Sequence, residues 1–314
     1  MLIAPVLGVA APTPFPVVDQ NPLTRGFYHP LPTAARWDST DAGSQLLLTV
    51  ANTNNMNRRG GERLLVDAES TELRWVWNED IDSRWRLRAS LPIVHYGGGV
   101  LDPLIDGWHK MLGLDGGSRA NRPDDELAIQ YSGGGTNIRV DRSHTGIGDM
   151  SLELGRRLLV ERTLAVSMWG GIELPTGNAK HLTGDGAFDV GVWFSGDWRP
   201  RRDLSFAATL GGTRQGPGEL LDGRRADWVG FQSLVARWDS TDRLYLQAQL
   251  DVHDSYVKST HIPLLGPATI LTVGGGYRLL SGWRVGVSVS EDVAVNTSPD
   301  VAFQFTIRAP VDFP

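Results

Sequence analysis

Charged residues occupy alternate positions in several segments of this chain, and that spacing places them on one face of a β-strand. Arg84, Arg86 and Arg88 alternate with apolar residues, and Asp189 lies on the polar face of another alternating segment. Guanidinium and carboxylate groups can hold each other in bidentate pairs. If they stay apart and hydrated, they create a field that orients polar solutes. The pattern therefore indicates either ion pairing or solute selection.

His253 and Ser255 form a short motif that could support covalent catalysis. A serine nucleophile needs a histidine to accept its proton and a third group to orient the imidazole ring. Similar His-x-Ser elements supply base and nucleophile in outer-membrane phospholipases and lipid A deacylases. Here alternation turns His253 inward, whereas a lipid-cleaving site faces outward, and Asn52 or Asn54 are the sole candidates for the third group. Lipid hydrolysis is therefore the third alternative for function, and we assign no catalytic residue.

Period-two alternation runs from residue 44 to the C-terminus and predicts twelve strands. Around residues 243–253, Leu246 and Leu250 lie on the apolar face, and Gln247 and Asp251 lie on the polar face. Most of these strands have the roughly 9–11 residues that a tilted membrane strand needs. The predicted strands are 44–53, 63–77, 84–95, 147–157, 163–174, 187–198, 203–213, 227–238, 243–253, 268–279, 283–291 and 300–309.

Short and long connections alternate between these strands. The short turns lie near 78–83, 158–162, 199–202, 239–242 and 280–282. All of them then share one rim, and an even strand count places both termini on that rim, which is periplasmic in bacterial barrels. Tryptophans flank the same turns, as in an aromatic girdle at a membrane interface; they are Trp77, Trp85, Trp198, Trp238 and Trp283. In the second strand the apolar face changes near Ser70, which predicts a β-bulge there.

Composition excludes several classes of protein. No run of about 18 apolar residues exists, so a helical membrane protein is excluded. The mean hydropathy of -0.19 suits a barrel, because half of each strand faces the lumen. A net charge of -6 argues against nucleic acid, and the absence of cysteine removes disulfides and thiolate metal sites. No metal or other cofactor is expected from the histidines, which stand singly in loops: His109, His144, His181 and His261.

These observations predict an all-β fold, a transmembrane antiparallel up-and-down β-barrel of about twelve strands. A soluble β-sandwich or propeller is the alternative that alternation alone would allow. Closing the barrel makes the first and last strands neighbours and separates the lumen charges by sign. The basic arc comprises Arg74, Arg84, Arg86, Arg88, Arg278, Arg284 and Arg308. The acidic arc comprises Asp149, Glu153, Glu173, Asp189, Asp197 and Asp251. Either water separates the arcs and anions pass, or Arg-carboxylate pairs close the lumen.

Residues 1–42 precede the predicted barrel of residues 43–310. The first fifteen, MLIAPVLGVAAPTPF, are similar to the apolar core and cleavage region of a secretory signal. The stretch from Pro12 to Ala42 is rich in proline and cannot form a central strand. We expect an extended periplasmic arm, with a partial plug of the lumen as the alternative.

The predicted extracellular loop at 96–146 is too long to be a simple connector. It begins with a predicted short helix, in which Asp102 is the N-cap and Gly113 the left-handed stop. Trp108 lies on the apolar stripe of that helix, beside His109. Farther on, residues 126–131 and 136–140 predict a projecting hairpin. The loop is either a lid over the barrel mouth or a docking surface for lipopolysaccharide or a protein partner.

Several segments resemble a proteobacterial family of outer-membrane-barrel-like proteins that is known only as a domain of unknown function. They are NPLTRGFYHPLPTAAR from Asn21, LPIVHYGGGVLDPLIDGWHKMLGLDGGSR from Leu91, GIGDMSLELG from Gly146, ELPTG from Glu173 and GDGAFDVG from Gly184. The most specific part is centred on Asp106, Gly107, Trp108 and His109, whereas the shorter GxGD and PTG pieces occur in other outer-membrane families. The resemblance implies the barrel and the outer membrane, and it carries no catalytic residues.

The sequence therefore predicts a monomeric barrel in the outer membrane of a Gram-negative cell. Its leading function is passive passage of small polar or anionic solutes. The second alternative is a structural barrel with a plugged lumen that binds lipopolysaccharide or a partner. Expected contacts are outer-membrane lipids, lipopolysaccharide and small polar solutes, with no nucleic acid.

Overall fold

The protein forms a closed antiparallel β-barrel in a computed structural model that describes residues 12–37, 41–98, 127–293, 298–299 and 301–310. The barrel closes where β1 pairs with β15. Among the described residues, no helix is long and apolar enough to cross a membrane. The strands are β1 Gly43–Arg59, β2 Glu62–Asp80, β3 Trp85–Gly97, β4 Ala128–Gly133, β5 Thr136–Val140, β6 His144–Ile147, β7 Met150–Val160, β8 Leu164–Leu174, β9 Asp189–Trp198, β10 Leu204–Arg214, β11 Trp228–Asp239, β12 Leu244–His253, β13 Ala268–Arg278, β14 Arg284–Asp292 and β15 Val301–Arg308.

Twelve strands make up the ring. β6 and β7 both pair with β3, at residues 93–96 and 85–90 respectively, so they form one strand interrupted at residues 148–149. The β4–β5 hairpin pairs with the outer part of β2 and stands beside the ring. The predicted strand number is therefore confirmed, and so is the predicted hairpin over its described residues, 128–140.

Alternation divides each strand between an apolar exterior and a polar interior. Leu246 is 50% exposed, whereas its neighbour Gln247 is 3% exposed. Val192, Val287 and Phe305 also point outward. The five tryptophans predicted to form a girdle flank the short turns. Four of them lie in strands at outward-facing positions, and Trp283 directly precedes a strand. The exterior is thus an apolar belt edged by tryptophan at the rim of the short turns, which we call the short-turn rim.

The β-bulge predicted near Ser70 is wrong, because β2 keeps a continuous register with β1 along its whole length. Leu64 and Val66 face the same side as Glu72 and are buried. The face of β2 that points into the barrel changes only in its chemistry. The half of β2 farther from the short-turn rim packs under loops, whereas the half nearer that rim lines the lumen. A shift of register occurs instead between Arg157 and Leu159, where β7 pairs with β8.

The first connection is also shorter than predicted. β1 and β2 extend to a two-residue turn at Gly60 and Gly61, with φ of 59° and 83°. Two consecutive positive φ values define the type I′ hairpin turn, which glycine adopts without strain. The polar segment predicted to be a loop is therefore a projecting extension of both strands.

An apolar cluster closes the barrel at the end opposite the short-turn rim, and we call it the dome. It joins Leu23 and Phe27 to Val66 of β2, Tyr96 of β3 and Leu264 of the β12–β13 connection. The β4–β5 hairpin contributes to the same cluster. The predicted lid residues Asp102, Trp108 and His109, with the helix expected around them, lie outside the described residues.

Candidate functional site: a plugged lumen

Residues 12–37 fill the lumen of the barrel, and we call them the plug. The Phe15 N–H donates to Gln249 Oε1 at 2.7 Å, and the Asn21 side-chain amide donates to the Leu264 carbonyl oxygen at 2.6 Å beneath the dome. The structure thus places this segment inside the barrel, which differs from the expected periplasmic arm and corresponds to the plug alternative. Proline has no N–H, so a proline-rich chain needs few backbone partners and can cross a lumen without joining the sheet.

The plug turns beneath the dome and returns toward the short-turn rim. On the returning limb, Thr33 Oγ1 lies 2.5 Å from Ser195 Oγ. Asp197 accepts hydrogen bonds from the backbone N–H groups of Ala35 at 3.1 Å and Arg36 at 2.6 Å. Both limbs therefore contact polar side chains of the wall.

One buried ion pair attaches the plug to the wall directly. Arg25 of the plug pairs with Glu72 of β2, and Arg74 donates to the same carboxylate at 2.6 Å. Glu72 is absent from the predicted acidic arc. Glu72 lies two residues before Arg74, which places both on the same face of the strand and could have identified Glu72. The bulge predicted at Ser70 instead left the direction of this part of β2 uncertain.

Most of the predicted basic arc lies on the lumen side. Arg84 and Arg278 are exposed at the short-turn rim instead, where Arg278 donates to the Asp242 carbonyl oxygen at 3.0 Å. Both stand at a strand end, where solvent lies within reach of a long side chain and alternation no longer decides its environment. The lumen side holds Arg74, Arg86, Arg88, Arg284 and Arg308.

All six carboxylates of the predicted acidic arc are buried on the inner side: Asp149, Glu153, Glu173, Asp189, Asp197 and Asp251. The two arcs meet where Arg88 of β3 pairs with Glu153 of β7. Elsewhere arginines pair with carboxylates outside the arc, as Arg86 does with Asp80 at 2.6 Å. The plug, and not a set of Arg-carboxylate ion pairs, thus fills the lumen between the two arcs.

The space left in the described lumen is small. A cavity of about 60 Å³ lies between the two limbs of the plug and the basic wall, where Arg86, Arg88 and Arg308 line it. A volume of this size holds a few water molecules. Among the described residues, this cavity therefore has no room for larger solutes.

The plug carries a half-buried histidine near the dome. His29 Nδ1 lies 2.7 Å from the Tyr256 hydroxyl oxygen, and its ring centroid is 5.5 Å from that of His253. Burial and the neighbouring His253 lower the pKa of His29 to about 3. The docked plug therefore holds His29 in its neutral form at neutral pH.

Among the described residues, the polar atoms of His253 and Ser255 bond to groups other than each other. The Ser255 hydroxyl oxygen lies 2.7 Å from the carbonyl oxygens of both Val257 and Leu265, so its single proton is donated to a backbone carbonyl. His253 Nδ1 bonds to the Asp254 carbonyl oxygen at 2.8 Å, and its Nε2 lies 3.5 Å from an Asp19 carboxylate oxygen of the plug. Both side chains thus stabilise local structure and the plug.

Two of the loop histidines predicted to stand singly are in contact. The rings of His144 and His181 have centroids 3.9 Å apart and are tilted by 31° to each other. This contact joins the start of the interrupted strand β6–β7 to the β8–β9 connection, and His109 lies outside the described residues.

Three of the resembling sequence segments meet at one buried carboxylate. Asp149, from GIGD, accepts hydrogen bonds from the N–H of Gly177, in ELPTG, at 2.7 Å and from the N–H of Asp185, in GDG, at 3.0 Å. A Cβ at Gly177 would lie 2.7 Å from the Thr183 carbonyl oxygen, so the fold requires glycine there. These motifs therefore build the end of the barrel below the dome.

A closed antiparallel barrel with an apolar exterior and a polar interior defines an outer-membrane-type β-barrel. The chain belongs to the family described as "Protein of unknown function (DUF3187)", whose pattern matches residues 5–309. The family resemblance seen in the sequence is thereby confirmed.

The fold is similar to that of an outer membrane channel from Pseudomonas putida F1, with 12% identity over 85% of this chain and 94% of that chain and a TM-score of 0.55. At this identity the likeness shows a shared fold. A second similar structure is the NanC porin, with 8% identity over 84% of this chain and 98% of that chain and a TM-score of 0.47. A third is the KdgM porin in complex with disordered oligogalacturonate, with 6% identity over 84% of this chain and 96% of that chain and a TM-score of 0.45. No curated protein matches the chain.

Proposed function

We propose that this protein is an outer-membrane channel for small polar solutes, with a preference for anions, and that residues 12–37 close it in the state described here. The apolar belt edged with tryptophan supports the membrane location. The observation that carries the proposal is the chemistry of the contact between plug and wall.

The plug packs Leu23, Phe27 and Trp37 in apolar clusters, and it is otherwise held largely through polar groups that water can replace. Its contacts include Thr33 with Ser195, Phe15 N–H with Gln249, and Arg25 with Glu72. A polar group that leaves a protein partner for water regains a hydrogen bond, so the net cost of each exchange is only about 0.5–1.5 kcal/mol for a neutral pair. A plug of this kind can leave while the strand ladder stays intact, and the lumen would then be a hydrated path.

The expected anion preference comes from the wall that the plug covers. Arg86, Arg88 and Arg308 line the cavity between the plug limbs. Plug displacement would expose these guanidinium groups to water, while Glu153 would still offset the charge of Arg88. The open lumen would thus attract small anions to one wall.

A reversible cross-link between plug and wall tests the proposal, because the chain contains no cysteine. Thr33 Oγ1 and Ser195 Oγ lie 2.5 Å apart, so the Thr33→Cys, Ser195→Cys variant should form a disulfide. We expect conductance in planar bilayers to fall on oxidation and to return on reduction. Replacement of chloride by a large anion in the reduced protein should lower the current.

The matched control is Ser195→Cys, Thr209→Cys, since these side chains lie 3.2 Å apart on neighbouring wall strands. That disulfide joins the wall to itself and should leave conductance unchanged. Equal conductance of the plug cross-link in both redox states would show that solutes do not pass where the plug lies.

A structural or partner-binding barrel is the second candidate, and the dome favours it. The apolar cluster joins the plug to β2, β3, the β4–β5 hairpin and the outer connections, which seals one end of the barrel. If the wild-type protein and the reduced cysteine variant are both silent over a wide voltage range, this second function replaces the channel.

A further inference from the structure

Three carboxylates converge below the dome, away from the contacts that hold the returning limb of the plug. They belong to Asp149 at the junction of β6 and β7, Glu173 of β8, and Asp185 in the β8–β9 connection. One oxygen from each lies within 4.8 Å of the other two. All three residues are buried, with exposures of 6%, 8% and 0%.

The surrounding chain fixes two of the three carboxylates. Asp149 is held by the two backbone N–H groups described above, and Asp185 accepts from the Ala187 N–H at 2.8 Å and from the Arg225 guanidinium at 2.6 Å. Gly26 of the plug packs closely against Gly184 of the β8–β9 connection, since a Cβ on Gly26 would lie 2.9 Å from the Gly184 carbonyl carbon. The cluster therefore lies where the wall, an outer connection and the plug meet.

The cluster has unsatisfied polar groups and excess negative charge. Glu173 Oε2 is buried without a hydrogen-bond partner, and the hydroxyl of Tyr28, which is 1% exposed, has none either. Burial and the charges of Glu153 and Glu173 raise the pKa of Tyr28. Arg225 pairs with Asp185 and reaches Asp189 at 3.6 Å, whereas Asp149 and Glu173 form no ion pair among the described residues.

Buried carboxylates without a cation are costly, and they either take up protons or bind a metal ion. Two ligand oxygens at 2.3–2.6 Å from one calcium ion are at most about 5 Å apart, so the observed spacing accommodates such an ion. Calcium also accepts irregular geometry and completes its shell with water or carbonyl oxygens, whereas magnesium demands a near-ideal octahedron.

We propose that Asp149, Glu173 and Asp185 bind one divalent cation, with calcium preferred over magnesium. Asp149 and Glu173 belong to the barrel wall and Asp185 to the β8–β9 connection, so the ion would join that connection to the wall. The ion would thereby stabilise the closed end of the barrel. This inference is independent of whether the barrel conducts.

The test uses the full chain, refolded in detergent micelles and freed of metal with a chelator. Calcium chloride and magnesium chloride are titrated separately by calorimetry, and thermal unfolding is followed with and without each ion. We expect a single calcium site with a dissociation constant in the range of about 10⁻⁶ to 10⁻³ M. Binding of magnesium should be at least tenfold weaker, and the unfolding temperature should rise with calcium.

Glu173→Gln is the decisive variant, because it keeps the shape of a side chain whose Oε2 has no hydrogen bond to lose. We expect calcium affinity to fall at least tenfold, while the metal-free variant is as stable as the metal-free wild type or more so. Asp251→Asn is the control, since it removes a buried wall carboxylate outside the cluster and should keep calcium affinity.

Absence of calcium binding up to 10 mM, or equal affinity in wild type and Glu173→Gln, would overturn the proposal. In the first case the carboxylates share protons instead. Because the readouts are heat of binding and unfolding temperature, a failure here leaves the channel proposal untouched, and a silent barrel leaves the cation site untouched.

Discussion

Arg88 joins three parts of the structure through one guanidinium group. It extends from β3, pairs with Glu153 of β7, donates to the Leu31 carbonyl oxygen of the plug at 2.8 Å, and lies 5.3 Å from the centre of the Trp169 ring. Both members of the ion pair are buried. Removing one member leaves the other as an unpaired buried charge, which costs more than the pair contributes.

We therefore expect Arg88→Gln to lower the free energy of unfolding by about 3–5 kcal/mol. The double variant Arg88→Gln, Glu153→Gln should recover more than half of that loss, because no charge remains unpaired. Denaturant titration in lipid vesicles measures both, and Arg139→Gln is a matched control since its pair with Asp141 is largely exposed. A double variant as unstable as the single one would mean that Arg88 acts through its other contacts.

Lipid-facing residues differ in how far they lie from the membrane surface. Leu246 pairs directly with Trp238 of the tryptophan girdle, whereas Leu250 is four residues farther along β12 and pairs with Leu234 and Leu271. A tilted strand gains roughly 2–3 Å of depth per residue, so Leu250 lies about 10 Å deeper.

Arginine at Leu250 should therefore lower the free energy of unfolding by about 2–4 kcal/mol, and arginine at Leu246 by about 0–1 kcal/mol. Refolding titrations in vesicles of defined lipid measure the two values. Equal costs at both positions would contradict the proposed position of the membrane relative to the girdle.

The plug is the element that a change of pH should affect. His29 faces His253, Tyr256 and Phe231, and the Asp19 carboxylate lies beyond His253. The pKa of docked His29 is lowered to about 3, whereas a released His29 would have the ordinary value of about 6.5. The released plug therefore binds a proton more readily, and docking loses stability as the pH falls from about 6.5 toward 3.

If the proposed channel opens when the plug leaves, we expect its open probability to rise as the pH falls through this window, by up to about tenfold per pH unit. His29→Asn should remove most of the rise, since asparagine does not titrate. Single-channel recording between pH 7 and pH 4 measures the effect. An unchanged pH profile in His29→Asn would assign the acid response to other groups, such as the pair of His253 with Asp19.

At the scale of the whole molecule, the short-turn rim and the dome should face opposite sides of the outer membrane. Both ends of the described barrel, Gly43 of β1 and Arg308 of β15, lie at the short-turn rim. Bacterial barrels place short turns in the periplasm and long connections outside the cell. The dome and the β4–β5 hairpin are therefore expected to be extracellular.

Single cysteines test this orientation, because the chain contains none of its own. Asn137→Cys on the β4–β5 hairpin should react in intact cells with a maleimide that cannot cross the membrane. Ser240→Cys in a short turn should react only after the cells are broken. Both side chains are exposed, so accessibility in the folded protein is matched. The reverse labelling pattern would invert the topology.

The sequence alone determined the barrel, because alternation is a local property of each strand. It predicted twelve strands, the outward direction of Leu246, and the inward direction of the whole acidic arc. It was less accurate where one strand crosses two environments. The inner face of β2 is apolar at Leu64 and polar at Glu72, and this change suggested a bulge that the continuous register excludes.

Only the tertiary structure decided what fills the barrel. Thr33 and Ser195 are 162 residues apart in the chain, and Phe15 and Gln249 are 234 residues apart. A proline-rich segment makes no periodic hydrogen bonds of its own, so its sequence predicts an extended shape without predicting its partners. The convergence of Asp149, Glu173 and Asp185 likewise depends on how the β8–β9 connection folds back over the wall. Alternation predicts which residues face inward, because it depends on neighbouring residues alone. Contacts across a lumen join segments that are distant in sequence, so alternation cannot predict them.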